Sequence, residues 1–139
     1  MKHPDKIEGY SLERLASIFS DADNLYQLAC DLREQSSGDY SKGRKQLANR
    51  LDLTAERLSE AAYELGYESN GFVAESLVKE VGNLRYDKIV GILDLVNSQF
   101  SVRSEPWFRN ASLKLDEAVE ELSKAWKICE PYMKNNKAK

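Results

Sequence analysis

Residues 41–67 read SKGRKQLANRLDLTAERLSEAAYELGY, and the spacing of their apolar residues decides the fold. Leu47, Leu51, Thr54, Leu58, Ala61 and Leu65 recur at steps of four and three. Residues so spaced share one face of a helix. A heptad seam of this kind predicts one long bundle helix from about Lys42 to Leu65, closed by Gly66 in a left-handed cap. The same letters admit a second reading, two shorter helices joined by a turn at Asp52. The unbroken period favours the single helix.

The segments on either side carry the same period. A first helix is expected to start after Ser11, a good N-cap, with Tyr10 and Leu15 at the two staple positions. Its core face is Leu15, Phe19, Ala22, Tyr26, Ala29 and Leu32. The polar run Ser20 to Asn24 is a candidate break, because Ser, Asp and Asn compete for backbone hydrogen bonds. The helix is expected to end by Gln35, where Ser36-Ser37-Gly38-Asp39 has the chemistry of a loop. After residue 67, Val73, Leu77 and Val81 mark a third helix and Ile89, Leu93, Val96 and Phe100 a fourth. Pro106 suits the first position of a last helix, where a missing N–H costs nothing. That helix carries Phe108, Ala111, Leu115, Ala118, Leu122, Ala125, Cys129 and Tyr132 as its seam, and Pro131 is expected to kink or end it. No alternating run is long enough for a strand. The fold class expected is therefore all-α, an up-and-down bundle of four to five helices joined by short loops.

The totals agree with one helical domain over residues 1–139, its polar residues 1–10 and basic tail 134–139 flexible. A chain of 139 residues buries about 68% of its unfolded surface, enough for an ordinary core. Of its residues 42% are hydrophobic and 31% charged, and the net charge is −3. That balance excludes a protein that coats nucleic acid over its whole surface, which needs abundant clustered Lys and Arg. Cys30 and Cys129 fall on apolar helix positions without metal or redox spacing and read as reduced core thiols. The first ten residues lack an apolar run, and no segment is long and apolar enough to span a membrane, so a cytoplasmic location is expected.

Catalytic and metal-binding sets are missing from the pattern. His3 is the one histidine, so neither a Ser-His-Asp nor a Glu-x-x-His arrangement has the residues it needs. Asp21-Ala22-Asp23-Asn24 opens like a calcium loop but lacks the glycine and closing glutamate. Glu117, Glu120 and Glu121 read as a solvated face. The chain is expected to be non-enzymatic, with no catalytic residue, no metal and no cofactor.

Leu47-Ala48, Asp52, Thr54 and Leu58 resemble the generic helix-turn-helix of transcriptional regulators. The resemblance implies a turn at Asp52, a recognition helix capped by Thr54 and anchored by Leu58, and DNA binding through residues 46–66. Asp52 stands where that pattern usually has Gly, and Glu56 and Glu60 would face phosphates. Leu58 to Gly82 also looks like the second helix-turn-helix of AraC-type regulators, in Ala62, Gly66-Tyr67, Val73, Leu77 and Gly82. Leu93 to Trp107 is similar to a segment of the anticodon-binding domain of methionyl-tRNA synthetases, with Asn97, Pro106 and Trp107 as counterparts and one extra residue of spacing.

Lys42, Arg44, Lys45, Arg50 and Arg57 make the start of the central helix basic. Cations there work against the helix dipole, which points to an anionic partner, nucleic acid or an acidic protein surface. Tyr40, Tyr67, Tyr86 and Trp107 fall near helix ends, where aromatic residues suit interfaces. The function expected is a helical binding protein, a small subunit, adaptor or inhibitor acting through protein–protein contacts, with a protein partner and no membrane. A helix-turn-helix regulator and a subunit touching nucleic-acid backbone through the basic patch are the alternatives.

Overall fold

The seam over residues 47–65 forms one helix. The structure, a computed structural model, describes residues 11–68, 81 and 84–138. Among these the fold is an all-α bundle of five helices without a strand: α1 (Leu12–Phe19), α2 (Ala22–Ser41), α3 (Lys45–Glu64), α4 (Tyr86–Ser101) and α5 (Pro106–Ala138). The expected third helix, Val73 to Val81, lies outside the described residues apart from Val81, which is buried.

Asp52 is helical and exposed, and no described residue other than glycine has positive φ. The turn required by a helix-turn-helix at residues 46–66 is therefore absent, and that alternative is corrected. Thr54 is fully buried in mid-helix and donates its hydroxyl to the Arg50 carbonyl at 2.7 Å, so it caps nothing. Leu51, Leu58 and Ala61 are likewise fully buried, so continuity buries a whole stripe that a turn would split. Each leucine contributes roughly 1.5–3 kcal/mol when taken out of water. The AraC-type resemblance lies mostly beyond residue 68 and so outside the described residues.

Two breaks shape the N-terminal half. Asp21 ends the first helix by capping the second, its carboxylate accepting from the Asp23 N–H at 2.9 Å. Asn24 donates from Nδ2 to the Ile18 carbonyl at 3.0 Å and closes α1 from the other side. The calcium-like letters are thus helix caps. The loop expected at residues 36–39 does not form, because α2 continues to Ser41. Ser36 is buried and donates to the Ala48 carbonyl at 2.9 Å, so its hydroxyl is satisfied across the helix pair. Gly43, at φ +88°, then closes α2: the Gly43 N–H bonds to Tyr40 O and the Arg44 N–H to Asp39 O. Gly66, at φ +93°, closes α3 with the same pair of bonds, to Tyr63 and Ala62. Both are Schellman caps, which need a residue without Cβ at the left-handed position.

The helices form a ring. α2 packs on α3, α3 on α5 and α5 on α4, and α1 closes the circuit between α4 and α2. α3 and α5 run antiparallel, since Arg50 pairs with Glu121, Arg57 with Glu117 and Glu60 with Lys114. The seam predicted for α5 is buried at Ala111, Leu115, Ala118, Leu122 and Ala125. Pro131 lies inside α5 and does not end it. α5 has 33 residues against 20 in α3 and 16 in α4, so by its register it runs on past the start of both. Among the described residues no helix is long and apolar enough to cross a membrane.

Candidate functional site

The five cations singled out in the sequence separate into two groups. Arg50 and Arg57 face α5. The Arg50 guanidinium meets Glu121 at 2.7 Å, and Arg57 meets Glu117 at 2.9 Å and Glu60 at 3.1 Å. The Glu60 hydrogen bond raises the Arg57 pKa, against a smaller loss from burial, so its charge is held. Of the carboxylates read as a solvated face, Glu117 and Glu121 are thus the partners of these arginines, whereas Glu120 is exposed beside Lys124, and the patch does not extend along α3 as one surface. Lys42, Arg44 and Lys45 remain together at the α2–α3 turn, all exposed. Arg44 is held by Asp39 at 2.7 Å. Lys45 lies 5.6 Å from the centre of the Tyr40 ring and makes no ion pair among the described residues.

The aromatic residues also divide. Tyr67 stacks on Tyr26 with centroids 4.1 Å apart and meets Tyr63 edge-on, so it fastens the end of α3 to the start of α2. Trp107 is half exposed beside Phe108 at the α4–α5 turn. Asn97, the counterpart in the synthetase resemblance, is engaged by Asp116 and Ser112 of α5. Tyr40 is exposed next to Lys45. Tyr86 behaves differently: it is half-buried, and its hydroxyl donates to the Gln35 Oε1 at 2.8 Å.

Tyr86 and Arg44 belong to one feature, a cleft of about 990 Å³ at the end of the bundle. Its walls are the last turns of α2, the start of α3, the start of α4 and the part of α5 around Trp126. The floor is apolar, formed by Leu47, Leu84, Trp126 and Ile128. Arg44, Lys45 and Arg85 supply the cations, and Asp39 is the lining carboxylate. Arg85 pairs with Asp87 through two bonds at 2.9 and 3.2 Å and lies 5.4 Å over the Trp126 ring. Carboxylate and indole together fix that guanidinium in place. Cys129 also lines the cleft. Burial and then the Asp39 charge raise its thiol pKa, and Arg44 lowers it less, so the thiol is a weak nucleophile at neutral pH. Burial is also the first cause of the raised Tyr86 pKa.

An apolar floor with a few fixed polar groups in a volume near the upper end of the usual range is what a ligand pocket requires. Among the described residues no group of three or more His, Cys, Asp or Glu is placed to hold a metal ion. The sequence reading found Arg44, Lys45 and Tyr86 but passed over Arg85, Trp126 and Gln35. Trp126 carried a faint signal, as a large aromatic at the edge of the α5 stripe. Arg85 carried none, since its neighbours in the cleft come from three other helices. Comparison with known proteins finds no matching protein family, no similar curated protein and no similar solved structure.

Proposed function

We propose that the protein is a non-enzymatic binding module, a small subunit, adaptor or inhibitor of a larger assembly, that holds a segment of a partner protein in the end cleft. The observation that carries this reading is the cleft itself: apolar Leu84, Trp126 and Ile128 beside Arg44 and Arg85, each held by a carboxylate, and the exposed Lys45. A buried aromatic anchor beside arginine is the composition that dominates binding energy at protein interfaces. Cys30 and Cys129 are free thiols, which suits a reducing, cytoplasmic setting. The nucleic-acid reading loses support because Arg50 and Arg57 already hold carboxylates of α5.

The test is selection of displayed random peptides on the intact chain, followed by calorimetric titration of those enriched. Trp126→Ala and Leu84→Ala, each checked for unchanged helical circular dichroism, should weaken binding about tenfold or more. Failure to enrich any peptide, or binding indifferent to both substitutions, would remove the reading.

A further inference from the structure

The rim of the cleft carries the opposite sign to the molecule as a whole. The chain has net charge −3, yet among the described residues Arg44, Lys45 and Arg85 line the cleft with Asp39 as the lining carboxylate, and Asp87 pairs with Arg85. Asp39 engages Arg44 through Nε at 2.9 Å and Nη2 at 2.7 Å, and Asp87 engages Arg85 through Nε and Nη2. A guanidinium has five N–H donors, so each arginine keeps donors for a second acceptor. Lys45 lies over the Tyr40 ring and, among the described residues, has no carboxylate to release. An incoming carboxylate therefore meets two guanidinium groups held in place and the exposed Lys45 ammonium without first breaking an ion pair. The floor below is apolar and takes an aliphatic or aromatic side chain.

We propose that the occupant is an acidic peptide segment of a partner protein, with one apolar anchor residue flanked by Asp or Glu. This rests on the reading of the cleft as a peptide site. The anchor lies on Leu84, Trp126 and Ile128, and the flanking carboxylates meet Lys45, Arg44 and Arg85. Nucleic acid fits less well. A phosphodiester chain needs clustered, uninterrupted cations along its length, and here three cations stand with Asp39 and Asp87 among them on an acidic protein. A peptide with one or two carboxylates matches that number of cations.

The experiment titrates the intact protein with three synthetic peptides that share a central Phe-Leu anchor. Their flanks are Asp/Glu, Ser/Gln or Lys/Arg. The acidic peptide should bind about tenfold or more tightly than the neutral one, and added salt should narrow that margin. Lys45→Glu, at an exposed side chain, should reduce the acidic preference with the fold intact. Adding Arg85→Glu should make the Lys/Arg peptide the best ligand. Equal binding of the three peptides, or an unchanged preference in Lys45→Glu, overturns the acidic assignment and leaves the peptide site standing. A mixed single-stranded oligonucleotide that displaces the acidic peptide also overturns it, in favour of a nucleic-acid partner. If none of the three peptides binds and peptide selection also fails, the proposal falls together with the reading beneath it.

Discussion

Removing the Arg50 side chain leaves Glu121, with a side chain 19% exposed, facing Lys124 at 4.0 Å as its one remaining cation among the described residues. Arg50→Ala is expected to lower stability by about 1 kcal/mol, at the upper end for a partly exposed pair. A urea-denaturation cycle with Glu121→Ala should return most of that loss as coupling; near-zero coupling would mean the pair is incidental. Asp94 has the opposite problem. Loss of water and then the Asp116 charge raise its pKa above the ordinary 3.8. The native state therefore holds that proton more readily than the unfolded chain. The associated stability is present at low pH and fades as pH rises through the folded-state pKa. Asp94→Asn is thus expected to raise the urea midpoint at pH 7 and to make no difference near pH 3. A midpoint shift of equal size at both values would show that titration is not the cause. Neither environment was legible in the sequence. Arg50 and Glu121 are far apart along the chain, and Asp94 and Asp116 lie on different helices, so only the register of packed helices joins them.

At the scale of the elements, two nearby glycines should respond with opposite signs. Gly38 sits inside α2, and a Cβ built there meets nothing within 4 Å. Gly38→Ala is expected to stabilise by about 0.5–1 kcal/mol, because alanine loses less freedom in a helix. Gly43, at φ +88°, closes the same helix. Gly43→Ala is expected to destabilise by about 1–2 kcal/mol, the usual penalty for a side chain in the left-handed region. Thermal melts of the two variants decide it; a shared sign would mean that the end of α2 is misplaced. The periodic seams of α3 and α5 could be read directly, because each apolar position repeats the same local rule. The end of α2 could not. Ser36 and Gly38 have the local preferences of a loop, and what holds them helical is a tertiary bond from Ser36 to Ala48 and a cap four residues further on.

For the molecule as a whole, the ring of helices depends on a short link. α1 has eight residues, yet it joins α4 to α2 through Leu15, Ala16 and Phe19, all buried. Phe19→Ala is expected to lower stability by about 3–5 kcal/mol. For 139 residues the total is on the order of 7–20 kcal/mol, so this one change takes a large share. Equilibrium unfolding in urea would measure it, and a loss below about 1 kcal/mol would show that α1 only rests on the bundle. The all-α class followed from periodicity alone. The cleft did not, because it is made where four helix segments stop or pass one another, and no single segment records that meeting.

The chain has two tryptophans, both on α5: Trp107 at its first turn and Trp126 in the cleft. Nineteen residue steps along the helix separate them by roughly 28 Å. The indoles are thus two built-in lamps well apart on one rod, in unlike surroundings: Trp107 is 49% exposed beside Phe108, and Trp126 lies under the Arg85 guanidinium. With Trp107 replaced by Phe, emission comes from the cleft alone; with Trp126 replaced, it comes from the far tip. Loading of the cleft should change the colour and lifetime of the first signal and leave the second steady, whereas unfolding should shift both. Local occupancy and global melting are then separable in one cuvette, without an added dye.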